Sequence, residues 1–198
     1  MLLRRAPKGV GMRFVFLTMD GTHGAALRQA ARTLHAEHGL ELDLRLYNST
    51  SLRTAQDWQR LTADVQAADF VFGARLFGED YVRPLLDVLA QASCPVCIIT
   101  SNPTLIRQTK LGKFVLYRSD DHEPGVIARI VRKLRPQGGN GGSEIKRQMK
   151  LINNVGGLLK LLPGKARDIH SFIVVHQYWL HSSPENLKRM LCLLIERY

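Results

Sequence analysis

Apolar residues along this chain recur in two alternating rhythms, and the alternation predicts a layered fold. The run FVFLTM at 14–19 is apolar apart from one threonine, as expected of a short strand buried on both faces. Residues 23–38 then carry Ala26, Leu27, Ala30, Ala31 and Leu34 at helical spacing, and Gly39 stands where a left-handed C-terminal cap belongs. From 40 to 48 the chain alternates, with Leu42, Leu44 and Leu46 set against Asp43 and Arg45, which predicts a strand with one wetter face. Trp58, Leu61 and Val65 mark a helix over 54–68. FVFGA at 70–74 is a third strand, 79–92 a helix, and PVCIITS at 95–101 a fourth strand.

Four such strands separated by helices predict an open, mostly parallel α/β sheet with right-handed crossovers, flavodoxin- or Rossmann-like and flanked by helices. After Ser101 the rhythm weakens to a helix over 103–110, a short strand over 114–117 and a helix over 126–134. The stretch PQGGNGG at 136–142 has four glycines and no apolar residue, the composition of a flexible linker. Beyond it the pattern is all-helical. One apolar-periodic helix leads to LLPG at 161–164, a second carries Asp168, Phe172 and QYW at 177–179, and SPEN at 183–186 opens a third. The predicted organisation is a flexible leader (1–12), an α/β head (13–135), a Gly-rich linker (136–143) and a helical neck segment (144–198) that continues into a longer protein.

Composition adjusts this picture in two ways. With 198 residues and 45% hydrophobic content, the chain can bury a full core and is not a disordered segment. No run approaches the ~18–20 apolar residues of a membrane span, and the start MLLRR lacks the apolar stretch of a secretory signal, so a cytoplasmic protein is expected. The net charge of +11 is unevenly spread: residues 129–167 hold ten Lys or Arg and a single acid, Glu144. Such a field attracts nucleic acid, anionic membrane or an acidic ligand, or else belongs to a solvated linker and helix face. That stretch has no Phe, Trp or Tyr, which counts against stacking on single-stranded nucleic acid.

Candidate chemistry is sparse. The loop DGTHG at 20–24 sits between the first strand and a helix, where open α/β sheets bind ligands and helix N-termini attract anions. Asp20, His23 and Gly24 are the candidate ligand-binding residues there. The loop is neither GxGxxG nor a P-loop, so a flavin or nucleotide site and a plain tight turn capped by Asp20 or Thr22 both stay open. Cys94 and Cys97 have redox spacing, but they enter a strand rather than open a helix, which fits buried structural thiols. The seven histidines form no recognisable metal-ligand set, and no nucleophile and base can be assembled from spacing. Phe172, His176 and Trp179 lie on one helical face at spacings of four and three. A face of that kind stacks on a flat macrocycle, docks a neighbouring domain or packs in a core.

Taken in order, several segments resemble the N-terminal region of the large, porphyrin-binding H subunits of magnesium chelatases, which are related to the large subunit of cobaltochelatase. The segments are FVFLTMDGTHG at 14–24, ADFVFGARLFGED at 68–80, TLIRQTKLGKF at 104–114, the Gly-rich break before QMK at 148–150, LPG at 162–164, and QYWL and SPEN at 177–180 and 183–186. The last two place the chain nearer the magnesium branch than the cobalt one. The resemblance implies a non-catalytic head-and-neck piece of a complex that inserts Mg²⁺ into protoporphyrin IX for (bacterio)chlorophyll synthesis. ATP-driven work would come from two AAA+ partners, the I and D subunits. It implies no cofactor held by this segment and no catalytic residue in it. Phe172, His176 and Trp179 would then contact porphyrin or dock the remainder of the large polypeptide.

Overall fold

The computed structural model describes residues 11–19, 21–116 and 165–198. Residues 1–10 of the expected leader, Asp20, the helix expected over 126–134 and the Gly-rich linker lie outside the described residues, and Met12 belongs to the first strand.

The predicted βα rhythm is present. Strand β1 (Met12–Thr18) leads to helix α1 (Gly24–His38), strand β2 (Leu42–Asn48), helix α2 (Ala55–Gln66), strand β3 (Phe70–Ala74), helix α3 (Glu79–Leu89) and strand β4 (Val96–Ile99). Local chemistry fixes the boundaries. Gly39 adopts φ 68° and its N–H reaches the His35 carbonyl, closing α1. Thr54 and Asp57 form a reciprocal capping box at the start of α2. The weakly patterned region resolves into a one-turn helix α4 (Pro103–Ile106), shorter than predicted, and a tight hairpin of β5 (Lys110–Leu111) and β6 (Phe114–Val115). Strand β5 was hidden because only two residues pair, too few for a periodicity to show.

Among the described residues the sheet has the order β2-β1-β3-β4-β5-β6. The first four strands run parallel, and the β5–β6 hairpin joins antiparallel to β4 at Val96 opposite Lys110. This is the flavodoxin-type order extended by an antiparallel edge.

Strand alternation sorts the core into two layers. On one face Phe14, Phe16, Phe70, Phe72 and Cys97 pack under α1. On the other, Val15, Leu17, Val71, Val96 and Ile98 pack under α2 and α3. Helices α5 (Ala166–Leu180) and α6 (Pro184–Arg197) complete the first face. Ile169, Phe172, Val175 and Trp179 of α5, with Leu187, Met190, Leu191 and Leu194 of α6, share one cluster with β1 and β3. Burying each such side chain contributes about 1.5–3 kcal/mol. The described part of the segment expected to be a neck, residues 165–198, therefore lies directly on the sheet.

The α5 N-terminus is tied to the β5–β6 turn. The Lys113 N–H donates to Asp168 Oδ2 at 2.8 Å, and the Tyr198 hydroxyl donates to Asp168 Oδ1 at 3.1 Å. Gly112 has φ 54°, and a Cβ there would lie 2.7 Å from the same carboxylate, so this turn accepts glycine for two separate reasons. Phe114 and Phe172 meet beside it with centroids 5.8 Å apart.

Candidate functional site

Where the strand order reverses, between β1 and β3, the following helices leave toward opposite faces and open a crevice at the carboxyl ends of the strands. The β1–α1 loop and the residues after β3 form its walls. One residue from each of the two groups singled out in the sequence meets the other here. His23 stacks on Trp179 with ring centroids 4.2 Å apart and planes 23° from parallel. Trp179 in turn tilts against Phe72 of β3 at 4.6 Å.

The consequence is a filled inner wall. Phe172 (2% exposed), His176 (6%) and Trp179 (4%) all point into the α5–sheet interface, so this face is occupied by the protein's own sheet and presents no open ring to a macrocycle. Burial pushes the His176 imidazole down to about 4, which keeps it neutral near pH 7. Its Nδ1 is buried and has no hydrogen-bond partner among the described residues.

The β1–α1 loop has the turn chemistry of its glycines. The Gly24 N–H bonds to the Gly21 carbonyl, and the Leu27 N–H to that of His23. His23 is the N-cap of α1 but contributes no side-chain cap, so the capping role foreseen for Thr22 is not taken. Instead Thr22 Oγ1 meets His23 Nδ1 at 3.0 Å. Gly24 sits close to the Arg28 guanidinium and Leu46. Asp20 lies outside the described residues.

On the opposite wall, sequence reading missed two features. Arg75 adopts φ 55°, the one left-handed non-glycine among the described residues, at the end of β3. Phe77 is 45% exposed, although nothing in its apolar neighbourhood distinguishes it from the buried phenylalanines. Between them Leu76 is 1% exposed; its carbonyl accepts from Thr100 Oγ1 at 2.8 Å. Arg75 N–H is held by the Ile99 carbonyl.

At the other end of the strands the polar chemistry is structural. Arg13 bonds Asp43 (2.8 Å) and Asp64 (3.3 Å), while the Tyr47 hydroxyl donates to Asp64 at 2.6 Å. Although burial works the other way, the Arg45 and Arg13 guanidiniums hold the Asp43 carboxyl below its ordinary range. Burial, then the bond to Asp64, raises the Tyr47 phenol. The wet face of β2 is thus spent on an ion network beneath α2. Burial likewise raises the thiols of Cys94 and Cys97, the opposite of what a reactive thiolate needs. Among the described residues no group of three or more His, Cys, Asp or Glu is placed to hold a metal ion, and no helix is long and apolar enough to cross a membrane.

Comparison with known proteins gives this arrangement a family. A family model described as a domain of unknown function (DUF3479) matches residues 13–173. The magnesium-chelatase H subunit of Cereibacter sphaeroides is 28% identical over 95% of this chain, and that of Rhodobacter capsulatus is 26% identical over 95%. The chloroplastic magnesium-chelatase ChlH subunit of Oryza sativa subsp. indica is 24% identical over 94%. The match takes up 16% of the Cereibacter protein and 14% of the Oryza protein. The chain belongs to the DUF3479 family, and what it corresponds to in these relatives is the N-terminal region of the magnesium-chelatase H subunit.

Proposed function

We propose that this chain acts as the non-catalytic head of a magnesium chelatase, in an ATP-dependent complex that inserts Mg²⁺ into protoporphyrin IX for (bacterio)chlorophyll synthesis. The observation that carries this reading is coverage: 95% of the chain aligns with a stretch that is only 16% of an H subunit. A further point supports it: the switch-point crevice is backed by Trp179 rather than left open for a nucleotide. The head's role in this reading is to dock on the porphyrin-binding body and the I and D ATPase partners, gating access to the cavity, in the cytoplasm. Mg²⁺ and porphyrin are the complex's substrates, handled elsewhere in the large polypeptide.

The test is a metal-insertion assay with the I and D subunits, ATP, Mg²⁺ and protoporphyrin IX. This chain supplied in place of the H subunit gives no magnesium-porphyrin fluorescence. A Cereibacter H subunit whose matching stretch is replaced by this chain retains insertion. Turnover by the chain alone, or an inactive but folded chimera, sinks the reading.

A further inference from the structure

The seven phenylalanines of this chain divide sharply. Phe14, Phe16, Phe70, Phe72, Phe114 and Phe172 are at most 3% exposed, whereas Phe77 is 45% exposed. Its exposure is imposed by its neighbours. The left-handed backbone at Arg75 (φ 55°) and Gly78 (φ 95°) brackets the loop. The buried Leu76 side chain, the Arg75 N–H to Ile99 bond and the Thr100 hydroxyl on the Leu76 carbonyl pin it from below. An anchored loop loses little conformational freedom on binding, so its aromatic tip is presented at low entropic cost. Left-handed backbone at a non-glycine is tolerated only where its surroundings hold it. The other large apolar side chain exposed among the described residues, Leu180 at 42%, follows Trp179 at the end of α5. It therefore lies at the same carboxyl-end rim of the sheet.

We infer that this rim, with Phe77 as its anchor, is the surface on which the body of an H subunit seats. The inference rests on the head reading above and adds the contact surface to it. The occupant follows from proportion and chemistry. The relatives devote about five-sixths of their length to polypeptide beyond the matched stretch. An exposed aromatic on a held loop is also suited to be a protein–protein anchor, which inserts into an apolar pocket of its partner. A small flat ligand is the less suited occupant, because Trp179 already fills the inner wall of the crevice.

Hydrogen exchange tests the surface directly, comparing the free chain with the Cereibacter chimera. Amides over 75–81 exchange about tenfold or more slowly in the chimera, while those on the outer side of α2, around Gln59, are unchanged. Equal exchange over 75–81 overturns the inference. An active chimera with an unprotected loop removes this surface alone; an inactive, folded chimera with a protected loop removes the head reading and leaves the surface. A second measurement covers a chimera that does not fold. Benzoylphenylalanine placed at position 77 of the free chain crosslinks on illumination to a Cereibacter H subunit lacking the matched stretch, and the same probe at Gln59 does not. No adduct from position 77, or equal adducts from both, refutes the surface.

Discussion

The two ends of the central sheet are built from different materials. At the amino ends of the strands polar groups are paired: Arg13 bridges Asp43 and Asp64, and Asp168 holds both the hairpin turn and Tyr198. At the carboxyl ends stand a strained arginine, an outward phenylalanine and a histidine stacked on tryptophan. Hydrogen-bond networks that satisfy every member rigidify a fold, whereas strain and exposed apolar groups persist where a protein meets something else. The first end holds the domain together; the second faces outward.

The comparison is broken most directly at Trp179. It lies at the carboxyl end yet is core, so Trp179→Ala should cost about 3–5 kcal/mol, read by chemical denaturation. A loss below about 1 kcal/mol would mean that the ring is a movable plug and the crevice a true pocket. Next in size is acid sensitivity. Folding depresses the His176 pKa to about 4 from an unfolded value near 6.5. The unfolded state therefore binds the proton first, and stability is lost as pH falls from about 6.5 toward 4, by up to about 3 kcal/mol. His176→Leu should flatten that part of the curve in thermal melts at stepped pH.

At the amino end, Gly112→Ala forces a Cβ onto the Asp168 carboxylate and into left-handed backbone. A cost of about 2 kcal/mol is expected, together with faster hydrogen exchange at Lys113. An Asp168→Asn variant, which keeps the size, should lose less. The smallest effect is expected at Phe77: Phe77→Ser should leave the free chain's stability within about 0.5 kcal/mol. If it melts the domain, the loop is structural and the contrast between the two ends fails.

Much of the fold was legible because each major element announces itself over several residues. The continuous apolar run of β1 predicted burial on both faces, and Gly39 and Ser183 marked helix ends that the structure places as a left-handed cap and an N-cap. What stayed hidden is long-range. Helical spacing put Phe172, His176 and Trp179 on one face, but periodicity cannot say what that face meets, here the phenylalanines of β1 and β3. Nor could spacing bring His23 to Trp179, or tell Phe77 from the phenylalanines at 70 and 72, because outward display depends on backbone handedness at Arg75 and Gly78. Nor does LGK, as sequence, show that its glycine faces the Asp168 carboxylate.

That carboxylate has one more consequence. By fastening the hairpin to the first turn of α5, it joins Lys113 to Asp168 across 55 positions of sequence. Bringing two points of a chain together costs only about 0.6 kcal/mol more for each doubling of their separation. The tie can therefore survive a change in the number of positions between its two partners across related proteins.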